Sequence, residues 1–188
     1  MDHNVNQMDF NVCNELRLDG KLCDVVIKAS GVEFLAHKDI LCDCSPYFRV
    51  LFTYSGHKTN KKVYDIPGIS PDVMKLILDY AYTKVAHINT DNVEDLFIAA
   101  DYLNILDLVQ FCSNFLRNQL CPQNCIGIYK FATFFYCREL QREALMYIHY
   151  NYDIIMKTSD EILDLSTLQL KGLVEEDTVN PEQKEETF

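Results

Sequence analysis

The side chains of this 188-residue chain that are best suited to catalysis or metal binding are those of its eight cysteines and five histidines. Together they could hold zinc, form disulfides, or supply a nucleophile and its base. Cys42 and Cys44, like Cys121 and Cys125, lack the paired spacings of tetrahedral zinc sites. Most of the cysteines lie in apolar patterns, where a thiol behaves as a small hydrophobic group. The sequence therefore indicates reduced, intracellular thiols, with one redox-sensing thiol as the open alternative.

Catalytic patterns are weak. His37 with Cys42 or Cys44 could be a base and its nucleophile, but these positions also fit helix packing. The histidines are scattered, and the sequence contains no Gly-x-Ser-x-Gly elbow, Gly-rich phosphate loop or His-Glu-x-x-His helix. We therefore expect no enzyme activity, no cofactor, no bound metal and no small-molecule substrate.

The charge balance limits the class of partner. The chain has 17 basic and 28 acidic residues. Because nucleic-acid affinity depends mainly on Lys and Arg that neutralise phosphates, we expect no DNA or RNA partner. The sequence also has no apolar run of about 18 residues and no basic-then-apolar leader, so we expect no membrane partner and a cytoplasmic location, with the nucleus as an alternative.

The first elements are predicted by side-chain periodicity. Leu22–Lys28 alternates as a strand with Cys23, Val25 and Ile27 on one face, Ala29–Gly31 supplies a turn, and a return strand ends at Ala36. The period then becomes helical. Ser45 at an N-cap and Pro46 at the first helical position predict a helix over Tyr47–Phe52.

Later segments add one strand and several helices. Lys61–Ile66 alternates as a third strand, and Ser70-Pro71 and Thr90-Asp91 predict further helix starts. Another helix follows over 106–120, and beyond Pro122 only helical periods remain. A capping box at 166–169 predicts a last helix over 168–174, and the acidic residues 181–188 are expected to be disordered.

Several motifs arrive in one order: CDVVI, FLAHKDILCDCSPYFRVLF, VYDIPGISPDVMKLILDYAYT and NVEDLFIAADYLNILDL. They resemble the BTB (POZ) domain, and the helical stretch that begins LCPQNCIGIYKFATFFYC resembles the start of the BACK domain in BTB–kelch proteins. The resemblance implies an α+β fold, a small β-sheet flanked by α-helices, followed by a partial all-α BACK-like extension. The expected ranges are 1–9 flexible N-terminus, 10–120 BTB domain, 121–180 partial BACK domain and 181–188 acidic tail.

The resemblance also implies a dimer with itself or with a related kelch-like protein. Phe10, Val12 and Leu16 form an apolar stripe that a second chain could cover, although the helix could instead fold back on its own domain. Asp24 and the pair His37 and Lys38 occupy the acidic and basic positions that face the shared interface in BTB domains. A buried Asp24–Lys38 charged pair is one interpretation, and a weak surface salt bridge is the other.

BTB–kelch proteins are typically adaptors for cullin-3 ubiquitin ligases, and the family's contact motif is a bulky apolar residue, any residue, then glutamate. The aligned residues are Gly56, His57 and Lys58, so the apolar anchor is absent and the acidic charge is reversed. A cullin-3 contact is therefore expected to be weakened. Phe52, Tyr54 and Tyr82 could form a compensating aromatic patch, although Phe52 and Tyr82 fit core packing equally well.

Three functions remain in competition. The first is a non-catalytic dimeric adaptor or scaffold that binds cullin-3, although the chain ends before a first kelch blade of about 50 residues. The second is a kelch-less dimerisation module that pairs with full-length kelch-like proteins and modulates them without binding cullin-3. The third is a transcription-linked oligomeriser, which the missing zinc-finger spacings and basic patch oppose.

Overall fold

The computed structural model describes residues 12–56 and 62–158. The chain divides into two compact units, with the boundary between Phe115 and Leu116. Several predictions concern residues outside the described ranges: the flexible N-terminus, Phe10, His57, Lys58, the capping box at 166–169, the helix over 168–174 and the acidic tail.

A three-stranded sheet with neighbouring helices forms the first unit. Residues 12–18 are helical (α1), and the strands are β1, Val25–Ala29, β2, Val32–Ala36, and β3, Val63–Asp65. The strand order is β2-β1-β3, in which β1 pairs antiparallel with β2 and parallel with β3. The turn between β1 and β2 has positive φ at Ser30 and Gly31, as tight hairpins need.

The central strand confirms the predicted alternation. Val25, Ile27 and Ala29 of β1 are buried, and the residues between them are half-buried. Its neighbour β2 lies at the sheet edge, and only Ala36 of that strand is buried. An edge strand has a neighbour on one side only, which explains why its predicted inner face is partly exposed.

Five helices of the first unit follow β2: α2, Lys38–Cys44, α3, Pro46–Gly56, α4, Pro71–Thr83, α5, Val93–Tyr102, and α6, Leu106–Asn118, which crosses the boundary between the units. The predicted starts of α3 and α4 are confirmed. Ser45 and Ser70 each accept a hydrogen bond through Oγ from the backbone N–H three residues later. The predicted start of α5 at Thr90-Asp91 is wrong by two residues: α5 begins at Val93, after a turn in which Oδ1 of Asn89 accepts from the backbone N–H groups of Asp91 and Asn92.

The second unit is helical over its described residues, as its periodicity predicts. Its helices are α7, Cys125–Phe134, α8, Arg138–Tyr150, and α9, Tyr152–Thr158. Their core joins Cys125 and Ile126 of α7 to Ile148 of α8 and Ile155 of α9. Among the described residues, we find no helix with the length and apolar character needed to cross a membrane.

Candidate functional site

Helix α1 is held on its own unit by one buried cation. The side chain of Arg17 is only 7% exposed, and its Nη2 lies 2.6 Å from Oδ1 of Asp79 in α4. Nε and Nη2 of Arg17 also donate to Oδ1 of Asn14 at 3.1 and 2.9 Å, and the guanidinium lies 5.0 Å from the ring centre of Tyr82. One face of α1 therefore folds back on its own domain, while Val12 and Leu18 stay exposed.

A second polar network holds the segment between α1 and β1. The hydroxyl of Tyr82 accepts a hydrogen bond from the backbone N–H of His37 at 2.7 Å and lies 2.8 Å from Nδ1 of the same residue. Nε2 of His37 lies 3.1 Å from the carbonyl oxygen of Lys21. Since a carbonyl only accepts, Nε2 carries the proton in this contact, and Nδ1 is then the acceptor for the Tyr82 hydroxyl. The network ties Lys21 to the core.

The thiols are not arranged as nucleophiles. His37 lies near Cys23, with Nε2 and Sγ 3.8 Å apart, and not beside Cys42 or Cys44 as the sequence allowed. Burial raises the pKa of Cys23, Cys42 and Cys44, which opposes the thiolate form that nucleophilic attack requires. Within residues 12–56 and 62–158, no three His, Cys, Asp or Glu side chains are grouped as a metal site.

Asp24 and Lys38 do meet, but through a different contact from the predicted charged pair. Oδ1 of Asp24 accepts a hydrogen bond from the backbone N–H of Lys38 at 2.9 Å, at the first residue of α2. Carboxylates stabilise helix starts in this way because the first N–H groups lack partners in the helix. The Lys38 ammonium instead lies 5.9 Å from the ring centre of Phe52. The charged-pair interpretation is therefore wrong within one chain.

Four exposed apolar side chains lie on the elements that these networks join. We call them the apolar edge, and they are Val12 and Leu18 of α1, Leu22 of the segment before β1 and Leu35 of β2, with Leu18 and Leu22 71% and 80% exposed. A Cβ at Gly20 would lie 3.2 Å from Cδ1 of Leu35, so β2 contacts the turn that follows α1. Leu16, also predicted for the dimer interface, is half-buried.

Sequence reasoning missed three members of the apolar edge. Leu18 and Leu22 flank a polar turn around Gly20, and an apolar residue on each side of such a turn is a signal that could have revealed them. Leu35 lies opposite the predicted inner face of β2, so the alternation of that strand already placed it outside. Leu22 also has φ of +58°, which is costly for a branched residue and is typical of constrained positions.

A second exposed surface runs along α3. We call it the α3 stripe, and it consists of the half-buried Tyr47 and the exposed Val50 and Tyr54 on one helix face, joined by the exposed Tyr102 at the end of α5. The hydroxyl oxygens of Tyr47 and Tyr102 are 3.3 Å apart, and their ring centres are 5.2 Å apart. Tyr54 is 81% exposed. Gly56, the first position of the predicted contact motif, is the last residue of α3 and follows Tyr54 by two residues.

Two residues predicted for the compensating patch belong to the core. Phe52 is buried, stacks on Phe48 with ring centres 5.7 Å apart, and meets Tyr64 at 5.0 Å. Tyr82 is 0% exposed in the network described above. Neither ring can contact a partner, so the patch prediction is wrong for both and the core-packing alternative is confirmed. Tyr54 alone of the three aromatic residues is available at the surface.

The buried tyrosine gives the unit a pH dependence. Burial raises the pKa of Tyr82 to about 12, although the His37 backbone N–H and the Arg17 charge act in the lowering direction. The folded chain therefore keeps this proton between pH of about 10 and about 12, where an unfolded chain loses it. The stability present below pH of about 10 should be lost as pH rises to about 12. Urea unfolding at pH 9 and pH 11 measures this change.

The variant Tyr82→Phe separates this contribution from general alkaline unfolding. It should be less stable than the parent at pH 9, because the hydroxyl contacts are gone, and it should lose less stability on going to pH 11. Tyr150→Phe is the matched control, since this ring is exposed and should leave the pH dependence unchanged. Equal losses in Tyr82→Phe and the parent chain would contradict the assignment.

Comparison with known proteins identifies both units. Residues 13–120 match the BTB/POZ domain, and residues 125–188 match the family described as BTB And C-terminal Kelch (BACK). This chain is 36% identical to kelch-like protein 3 from each of three species, Pongo abelii, Bos taurus and Homo sapiens, over 179 residues that cover 95% of this chain. The chain spans 30% of the length of these relatives.

A solved structure agrees on the fold of the first unit. The BTB domain of zebrafish PATZ1 has a TM-score of 0.56 and 29% identity, and the match covers 61% of this chain and 92% of that structure. The sequence motifs also resemble kelch-like protein 10, a finer assignment that stays a prediction. The chain belongs to the BTB/POZ family and carries the BTB and BACK regions found in kelch-like proteins.

Proposed function

We propose that this chain is a non-catalytic, dimeric adaptor or scaffold of cullin-3 ubiquitin ligases, acting in ubiquitin-dependent protein degradation. Membership in the BTB family and the BACK match support this class of function. The observation that carries the cullin-3 assignment is the α3 stripe, because its most exposed member, Tyr54, lies in the last turn of α3, and that helix ends at Gly56, where the family's contact motif begins. In this proposal the BTB domain spans 10–120, the partial BACK domain spans 121–180, and the protein acts in the cytoplasm or the nucleus.

The dimer is proposed on the apolar edge. Exposed side chains of Val12, Leu18, Leu22 and Leu35 lie on α1, on the segment before β1 and on β2, and a second copy of the chain is the cover proposed for them. Asp24, His37 and Lys38 remain proposed interface residues. Their contacts stabilise the start of α2 and the Lys21 turn, which border this surface.

A second candidate is a dimerisation module that pairs with full-length kelch-like proteins without binding cullin-3. Gly56 and Lys58 favour it, because a partner pocket would find neither an apolar anchor nor an acidic group at these positions. Calorimetric titration with the N-terminal domain of cullin-3, after light scattering has established the mass, decides between the two. Submicromolar binding supports the adaptor, and a folded dimer with no detectable binding supports the module.

The α3 stripe makes a prediction of its own. Tyr54→Ala should weaken cullin-3 binding at least tenfold, because exposed tyrosines that become buried in an interface are frequent hot spots. Calorimetric titration of the parent and the variant measures the difference. Lys75→Ala is the control, since it truncates an exposed side chain on α4 outside the stripe, and should change the affinity less than twofold. Equal affinities for Tyr54→Ala and Lys75→Ala would remove the stripe from the contact.

A further inference from the structure

We infer that Arg17 is a positioning residue for dimerisation, because it locks α1 on α4 and so sets where Val12 and Leu18 are presented to a second chain. This inference rests on the proposed dimer. It assigns a role to a side chain that is not itself exposed for contact.

The burial of Arg17 indicates a role beyond stability. Among the described residues, the buried polar or charged side chains are those of Arg17 and Ser45. A buried ion pair often stabilises no more than an apolar side chain of similar size would, because both charges lose water. Its advantage is a defined geometry, which a planar guanidinium provides through several donors of fixed direction. An apolar residue at this position would lack these donors, so it could neither orient α1 nor bond it to α4.

The contacts of Arg17 define that orientation. Its bonds to Asn14 lie within α1, so they fix the side chain relative to its own helix. Its 2.6 Å contact with Asp79 and its position over the Tyr82 ring then fix that helix relative to α4. Arg17 therefore constrains both the position and the rotation of α1.

Helix α1 needs contacts with the rest of the first unit to hold its position, because most helical stability in proteins comes from tertiary packing. Val12 and Leu18 of α1 are exposed, so these two side chains do not supply that packing within one chain. Without Arg17, α1 should spend much of its time undocked. Apparent affinity falls with the fraction of binding-competent chains, and a dimer needs two competent chains.

The test is Arg17→Met in the full chain, which keeps the length of the side chain and removes its charge and donors. We expect the dimer dissociation constant to rise at least tenfold in sedimentation experiments over a dilution series. Hydrogen exchange, compared at the same fraction of dimer, should accelerate for amides 12–18 and stay unchanged for β1. Arg117→Met is the matched control, since Arg117 also faces carboxylates, those of Glu139 and Glu143, but is more exposed.

A second variant tests the partner. Asp79→Asn should weaken the dimer in the same direction, and the double variant with Arg17→Met should be no weaker than Arg17→Met alone, because the two side chains act as one pair. If the parent chain is a dimer and Arg17→Met leaves the dimer dissociation constant unchanged, the role of Arg17 is overturned and the proposed dimer stands. Hydrogen exchange that accelerates equally in α1 and β1 of Arg17→Met also overturns the role of Arg17 as a positioning residue, because Arg17 would then stabilise the whole unit. A monomeric parent chain overturns the proposed dimer itself.

Discussion

Ser45→Ala is expected to lower the free energy of unfolding of the first unit by about 3 kcal/mol. Oγ of Ser45 is fully buried, donates to the carbonyl oxygen of Leu103 at 2.5 Å and accepts from the backbone N–H of Phe48 at 3.3 Å. Alanine removes the N-cap of α3, worth about 1 kcal/mol, and leaves the Leu103 carbonyl without this donor, worth about 1–3 kcal/mol. Urea unfolding followed by circular dichroism measures the loss.

Ser70→Ala is the matched control for this change. Ser70 is also an N-cap followed by proline, but it is exposed and its cap contact from the Val73 N–H is longer, at 3.4 Å. It should cost at most about 1 kcal/mol, because water can replace the lost contact. If Ser45→Ala cost no more than Ser70→Ala, the contact between the start of α3 and the end of α5 would not contribute to stability.

Gly56→Met with Lys58→Glu should tighten cullin-3 binding about thirtyfold, which corresponds to about 2 kcal/mol. Methionine would supply the missing apolar anchor at the last residue of α3, and glutamate would restore the acidic charge. Calorimetric titration of the parent and the double variant with the N-terminal domain of cullin-3 measures the change.

Two controls separate the anchor from effects on the helix itself. Gly56→Ala gives α3 the same relief from an unfavourable helical glycine but no anchor, so it should change the affinity little. Lys58→Glu alone reports the contribution of charge. If the double variant bound no more tightly than Gly56→Ala, the contact would have to be placed elsewhere, while the BTB fold would stand.

The order of local elements in the first unit could be predicted from the sequence because the signals are local. Alternation in Val25–Ala29 shows which side of the strand is buried. A serine followed by proline favours a helix start, because the serine side chain accepts from a free backbone N–H and proline fits the first helical position. The start of α5 shows the limit of such signals. Two asparagines and one Thr-Asp pair compete within four residues, and only the backbone geometry decides which of them bonds.

The sequence by itself determined the fold family, and it showed that Gly56 and Lys58 depart from the family's contact motif, because ordered motifs and residue identities do not depend on packing. The tertiary structure decided which side chains are accessible and which meet. Phe52 and Tyr82 became core while Tyr54 of the same pattern stayed outside, and Arg17 found Asp79 62 residues away. Burial and long-range pairing depend on how separate elements pack, and no local pattern contains that information.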